Sequence, residues 1–175
     1  MHVNEIDFRS TPLRTLCTTA TNAIDELVAF AKSGLFDGLT AMEYGQYFHG
    51  AVLVACQAYA VGTVSDINKI RASYNEEALE KHVLYKSMET SEFKYSYVEL
   101  INALANYFKH NEEWDSWPNN RTTKIMGYYG IGGSTEFPMN AGIIKIVGES
   151  GDLRGLSEVL EAWRESEIQK YAAYS

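Results

Sequence analysis

The sequence predicts an all-α fold, namely an up-and-down four-helix bundle with a surface excursion and one glycine-rich loop. Apolar residues recur every three or four positions in four separate stretches, which is the spacing of a buried helix face. Residues that typically begin and end helices flank these stretches. The chain has 175 residues and only three prolines, which is enough for one helical domain with a substantial core.

The helix boundaries follow from local signals. Pro12 suits a first helical turn, and Gly34 suits a helix end because glycine tolerates positive φ. Thr40 and Glu43 have the spacing of a capping box at the start of the second helix. The later turns of that helix are small and apolar on several sides, which predicts a central position. We expect the four core helices at about 11–33, 40–68, 91–116 and 152–174.

The connections between these helices differ in composition. Residues 69–90 are polar and charged, which indicates a surface excursion with a short helix at about 75–85. Residues 118–135 hold four glycines and are expected to form a long loop, with a helical turn at about 122–128. Residues 138–148 are rich in β-branched side chains, but they have no evident partner strand and are predicted to be helical.

Composition limits the classes of function. The chain has 15 Lys and Arg and 23 Asp and Glu, a net charge of −8, so contact with nucleic acid requires a local basic patch. Cys17 and Cys56 are typical of buried residues in a reducing compartment, with a disulfide as the alternative. The N-terminus has no signal-peptide pattern, and the longest apolar run, 50–62, is too short to cross a bilayer. We therefore expect a cytoplasmic protein without a membrane segment.

Metal and nucleotide motifs are absent from the sequence. A di-metal centre in a helical bundle uses Glu-x-x-His pairs, and none of the four histidines follows a glutamate at that spacing. The glycine-rich stretch at 127–133 matches neither of the common phosphate-loop motifs. We expect no metal and no cofactor, and this stretch is interpreted as a surface loop, with a lid over a small ligand as the alternative.

The stretch 91–117 has two chemically different faces when it is drawn as one helix. Its apolar face carries Tyr97, Ile101, Leu104 and Phe108. At about 100° per residue, the opposite face collects Glu99, Asn102, Asn106, Lys109, His110 and Glu113. The apolar face predicts a core contact, and the polar face is either solvated surface or a functional site.

Asn106 and His110 are the strongest candidates for such a site, because residues four apart on a helix share a face. Cleavage of RNA needs a base near the 2′-hydroxyl and a group that stabilises the charged phosphorus centre. Histidine suits the first role, and an amide with a nearby cation suits the second. The ordinary alternative is that His110 only interacts with the end of its helix. The candidate catalytic residues are His110, Asn106 and Lys109, and the candidate substrate-binding residues are Asn102, Tyr107 and Arg121.

The segment Ala105–His110 resembles the signature of HEPN-domain proteins, in which an arginine and a polar residue are followed by three variable residues and a histidine. By position, Asn106 matches the polar residue and His110 the histidine. The resemblance implies an all-α bundle that dimerises through its motif helices, and in active members a metal-independent ribonuclease site shared by two protomers. Ala105 occupies the arginine position, and a methyl group cannot stabilise a transition-state charge, so the implied site is degenerate.

These observations predict a homodimer that associates through 91–117 and recognises RNA or a nucleotide, in a defence or toxin–antitoxin setting. If the chain is an enzyme, it is a weak metal-independent ribonuclease. One alternative is a non-catalytic interaction or dimerisation protein that binds a partner through Trp114 and Trp117. The other is a small-ligand binder that uses the glycine-rich loop as a lid.

Overall fold

The computed structural model describes residues 7–35, 37–86 and 93–172, and all regular secondary structure in these ranges is helical. The predicted all-α class is confirmed. The helices of the described ranges are α1 (Ser10–Lys32), α2 (Gly38–Ser73), α3 (Lys81–Tyr85), α4 (Tyr97–His110), α5 (Arg121–Tyr128), α6 (Pro138–Val147) and α7 (Arg154–Ala172). A 3-10 turn at Asn111–Glu113 follows α4.

Helix α2 is the centre of the fold, as its small apolar residues predict. Helices α1, α4, α6 and α7 all pack against it, and its buried residues extend from Ala41 to Ile67. By length and composition alone, α2 is also apolar enough to cross a membrane. The central helix of a globular core passes the same test, because burial on several sides requires the same composition.

The start of α2 differs from the prediction. Asp37, not Thr40, is the capping residue, since its carboxylate accepts a hydrogen bond from the Thr40 backbone N–H at 2.8 Å. The Thr40 hydroxyl donates to the same carboxylate. These bonds hold the pKa of Asp37 below its usual value. Because aspartate at the cap satisfies an otherwise unpaired N–H, the helix begins at Gly38.

The excursion contains less helix than predicted. Helix α2 continues to Ser73, and the short helix occupies only Lys81–Tyr85. Asn75 adopts a positive φ of 58°, which ends the helical path. Asn68 then bonds both backbone groups of Leu79, accepting from its N–H at 2.8 Å and donating to its carbonyl at 3.0 Å. These bonds hold Leu79 against α2, and residues 76–80 are not helical. Residues 87–90 lie outside the described part.

Helix α4 is shorter than the predicted rod. Ser96 and Glu99 form a capping box, in which each side chain accepts a bond from the other residue's backbone N–H, so the helix starts at Tyr97. At its other end α4 stops at His110 and the 3-10 turn follows. After this turn the chain reverses direction, and Trp114 and Trp117 pack against Tyr107. The continuous helix expected over 91–116 is therefore wrong at both ends of the described segment, while 91–92 lie outside it.

The remaining expectations hold more closely. Helix α5 occupies the predicted helical turn, and α6 confirms helix over strand for the β-branched stretch. Gly34 has a φ of 79° just after α1, as the predicted helix end requires. Asp152 accepts a bond from the Arg154 backbone N–H at the start of α7. The predicted end of this last helix, at 174, lies beyond the described residues.

Two glycines allow α4 to approach its neighbours closely. A Cβ on Gly50 of α2 would lie 2.1 Å from the Phe108 ring, and a Cβ on Gly142 of α6 would lie 2.3 Å from Leu104. Both distances are far inside van der Waals contact. The apolar face of α4 therefore packs directly against the backbones of α2 and α6 at Gly50 and Gly142.

The core also contains two cysteine thiols and one histidine. Cys17 and Cys56 are fully buried free thiols that interact with each other across α1 and α2. His49 of α2 is only 6% exposed, and burial lowers the pKa of its imidazole to about 4. Its Nδ1 has no hydrogen-bond partner among the described residues.

We expect Gly50→Ala to lower the free energy of unfolding by about 1–3 kcal/mol, because the added methyl overlaps the Phe108 ring. Gly45→Ala in the same helix is the matched control, since its Cβ meets no atom within 4 Å. That control should be neutral or stabilising by up to about 1 kcal/mol. Urea denaturation followed by circular dichroism measures both. Equal effects of the two changes would contradict the close approach.

We expect the free energy of unfolding to be lower at pH 5 than at pH 7.5. His49 in the folded chain protonates only near pH 4, whereas in the unfolded chain it protonates near 6.5, so between these values the unfolded state binds more protons. The difference between pH 7.5 and pH 5 is about 2 kcal/mol by linkage. His49→Phe should remove most of this slope in urea denaturation, and an unchanged slope would show that the imidazole is not responsible.

Candidate functional site

A polar cavity of about 370 Å³ lies where α3, α4 and α5 meet, and we refer to it as the α4 groove. Its charged and polar lining residues are Glu80, Lys81, His82, Tyr85, Glu99, Asn102, Asn106, Arg121 and Thr122. Three of the six predicted site residues, namely Asn102, Asn106 and Arg121, therefore line one cavity. Helix α4 supplies the two asparagines, and α5 supplies the arginine.

Gln57 of α2 holds the two asparagines in place. Its Nε2 donates to Asn102 Oδ1 at 2.8 Å and to Asn106 Oδ1 at 2.9 Å. Because both oxygens bind the same amide, the N–H groups of the two asparagines remain as the free ends of those side chains. Neither Nδ2 has an acceptor among the described residues, so two amide donors in the lining are available to a ligand.

Lys109 determines which way the Gln57 amide points. Its Nζ donates to Gln57 Oε1 at 2.7 Å, and an ammonium group can only donate. The oxygen of Gln57 must therefore face Lys109, and its nitrogen must face the asparagines. Lys109, predicted as a catalytic residue, thus orients the two asparagines through Gln57, and its catalytic role stays a prediction.

Arg121 enters the groove from α5 and pairs with Glu99. The two side chains are joined by a 2.6 Å bond, and the exposed fractions of the side chains are 57% for Arg121 and 1% for Glu99. Glu99 was predicted on the polar face of α4, which was either solvated surface or a site, and it is not solvated, because the capping box and α5 cover it. Guanidinium has five N–H donors, so Arg121 keeps several for a ligand while its charge balances a buried carboxylate.

Tyr85 closes one side of the groove and was not identified from the sequence. It is 2% exposed, its hydroxyl has no partner among the described residues, and burial raises its pKa to about 12. The hydroxyl therefore stays neutral, and because its oxygen is enclosed, it is not a donor that a ligand can reach in this structure. Gln57, Lys81 and His82 were also missed, because they lie on helices other than α4. The only sequence signal for α3 was the apolar pair Leu84 and Tyr85, which indicates a helix packed on the core.

His110 lies apart from the groove residues that it was expected to assist. Its Nδ1 is 3.2 Å from the Glu113 carboxylate, one turn further on, and its side chain is 49% exposed. It lines neither the α4 groove nor a larger cavity of about 680 Å³ on another side of α4. Tyr107 and Lys109 line that larger cavity, so the six predicted residues, five on α4 and one on α5, are not gathered at one point.

The position that corresponds to the HEPN arginine faces the core. Ala105 is fully buried, so a longer charged side chain there would meet packed neighbours and not a ligand. On α4, only Lys109 and His110 are exposed. A dimer that used this helix would therefore contact its C-terminal end, and the predicted homodimer stays a prediction.

The two alternative sites from the sequence have defined surroundings. Trp114 and Trp117 pack on Tyr107, and Trp117 remains 37% exposed. A Cβ on Gly133 would lie 3.4 Å from Trp117, so the glycine-rich loop packs against this aromatic cluster. The glycines of the loop line neither the α4 groove nor the cavity of about 680 Å³.

Comparison of the chain with protein families, with characterised proteins and with solved structures finds no match. The HEPN resemblance therefore stays a prediction from six residues. Among the described residues no three His, Cys, Asp or Glu side chains are grouped closely enough to hold a metal ion.

Proposed function

We propose that this protein recognises RNA or a nucleotide through the α4 groove, with binding and not cleavage as its main activity. The observation that carries the proposal is the arrangement of donors. Gln57 binds both asparagine oxygens, which leaves two amide N–H₂ groups beside the guanidinium of Arg121. Such a lining fits a ligand rich in acceptor oxygens and nitrogens, as phosphates and bases are.

Charge within the groove supports the same ligand class. Lys81 has no carboxylate partner among the described residues, and Arg121 is only partly engaged by Glu99. The groove therefore offers two cationic donors, Lys81 and Arg121, beside the carboxylates of Glu80 and Glu99, on a chain whose net charge is −8. Because an acidic protein repels a phosphate chain at long range, a short single-stranded segment or a mononucleotide suits the groove better than a duplex.

Cleavage is the less favoured activity because the residues it requires are separated. A general base must lie within hydrogen-bond reach of the proton that it removes, and a charge-stabilising donor must reach the same phosphate. The structure places His110 against Glu113 and Asn106 against Gln57. Arg121 lines the α4 groove together with Asn106, whereas His110 does not.

We expect Asn102→Ala and Asn106→Ala each to weaken binding of a short single-stranded RNA or a mononucleotide by about threefold to tenfold, the effect of one lost hydrogen bond. Asn119→Ala is the matched control, because Asn119 is exposed and lies outside the groove. Fluorescence anisotropy with labelled RNA and calorimetry with nucleotides measure the affinities. Binding that is equally reduced in the control, or reduced in neither asparagine variant, would contradict the proposal.

The salt dependence of binding tests the cationic part of the groove. Lys81→Gln should lower the slope of log affinity against log salt by about 0.7, the value for one phosphate contact with a single strand. Lys124→Gln on α5 is the matched control, since Lys124 is exposed and does not line the groove. Lys81 is preferred to Arg121 for this experiment because removal of Arg121 would leave Glu99 buried without its partner.

We expect single-stranded RNA to stay intact when it is incubated with the purified protein in EDTA. Gel electrophoresis of end-labelled RNA measures cleavage, with His110→Ala as the comparison. Cleavage by the wild-type chain that disappears in His110→Ala would overturn the preference for binding and support a metal-independent ribonuclease. Cleavage that persists in His110→Ala would indicate a contaminating nuclease or a different base, and groove variants would then separate the two.

A further inference from the structure

A separate cavity of about 350 Å³ lies between α1, the first turns of α2, the start of α6 and the connection from α6 to α7. We refer to it as the His49 cavity. Ile24 and Val28 of α1 form one wall, and Met42 and Gly45 of α2 form another. It shares no lining residue with the α4 groove, so it is independent of the proposed RNA or nucleotide site.

The space over Gly45 is empty among the described residues. Gly45 is buried, yet a Cβ built on it meets no atom within 4 Å. Gly50, one and a half turns further along the same helix, contrasts with it, because its missing Cβ position is filled by Phe108. Protein interiors are close-packed, and atoms that line a void lose their dispersion contacts. A gap over a buried glycine is therefore a place that another molecule can fill.

His49 gives this cavity a polar point. Its side chain is more than nine-tenths buried, and neither ring nitrogen has a hydrogen-bond partner among the described residues. Nδ1 is completely enclosed, so Nε2 is the nitrogen that a molecule in the cavity can reach. Buried polar atoms are almost always hydrogen-bonded, and an unsatisfied one costs free energy. The cavity thus combines apolar walls and unfilled space with an imidazole that lacks a hydrogen bond.

We propose that the His49 cavity binds a small uncharged molecule with an apolar body and one hydrogen-bonding head group that bonds to the imidazole. The body packs against Ile24, Val28 and Met42 and fills the space over Gly45. A charged head group is disfavoured, because ions are costly to bury without a partner and the one charged lining residue, Lys32, is exposed to solvent. The volume is at the lower end of the range for small-ligand pockets.

Burial keeps the imidazole neutral above about pH 4, so one of its nitrogens accepts a hydrogen bond at neutral pH. In the tautomer whose Nε2 is unprotonated, that nitrogen is the acceptor, and the matching head group of the ligand is an N–H or an O–H. A purely apolar molecule of the same shape should enter the cavity but leave the imidazole unsatisfied. This difference separates a binding site with chemical preference from a simple packing defect.

Calorimetry with indole and indene tests the proposal, since the two molecules have nearly the same shape and only indole has an N–H. We expect the wild-type chain at pH 7.5 to bind indole about threefold to tenfold more tightly than indene, the range for one net hydrogen bond. His49→Phe should remove this preference while indene still binds. Circular dichroism confirms that each variant is folded.

A second pair of variants locates the binding. Gly45→Leu should abolish binding of both molecules, because its side chain occupies the empty space. Gly127→Leu is the matched control, since Gly127 is also a helical glycine with no atom within 4 Å of its Cβ position but lies on α5. If Gly45→Leu does not fold, Ala41→Leu on the same wall replaces it.

Three results would overturn the proposal. The first is no binding of either molecule at millimolar concentration. The second is binding that survives Gly45→Leu, or Ala41→Leu where that variant replaces it. The third is equal affinity of the wild-type chain for indole and indene, which would leave an apolar void without a role for His49. None of these results bears on RNA or nucleotide binding, because the two sites share no residue.

Discussion

The close contact of α4 with α2 and α6 is the constraint on which the rest of the structure depends. Phe108 and Leu104 lie where Gly50 and Gly142 have no side chains, so α4 is drawn deep into the bundle. This depth has a direct consequence for chemistry. It buries Ala105 and brings the asparagines within reach of Gln57. The polar face of α4 is thereby converted from a solvated surface into one wall of a groove.

Once α4 is in this position, a chain of donors and acceptors determines what the groove offers. The ammonium of Lys109 orients Gln57, and Gln57 in turn orients Asn102 and Asn106. The direction of each bond follows from the one before it, because a lysine can only donate and a carboxamide has one acceptor end and one donor end. A residue outside the groove thus determines that the groove presents N–H groups, and the free energy of that arrangement is shared by four side chains.

Local signals predicted more of the fold than of the site. Pro12, Gly34 and the small residues of α2 act within one helix or against a generic apolar neighbour, so periodicity and capping rules capture them. The start of α4 was missed because Ser96 and Glu99 form a capping box five residues inside the expected start. The groove was only half predicted, because helical spacing relates residues of one helix and contains no information about Gln57 or Tyr85, which belong to α2 and α3. Arg121 was named as a candidate, but spacing could not place it beside Asn102 and Asn106.

The same geometry is the reason for proposing recognition and not catalysis for this chain. Catalysis needs a base and a charge-stabilising donor at one reacting group, and a single helix turn can supply both only if both side chains point at the same space. Here the two ends of the Ala105–His110 segment have different surroundings: Asn106 is tied to the core helix α2 through Gln57, whereas His110 is followed by a 3-10 turn that brings Glu113 against its ring. A 1 Å error in placement is enough to cost catalysis about a hundredfold, while a hydrogen-bonding groove tolerates it. Binding therefore demands only what α4, α5 and Gln57 already provide, and cleavage would demand a second arrangement of His110.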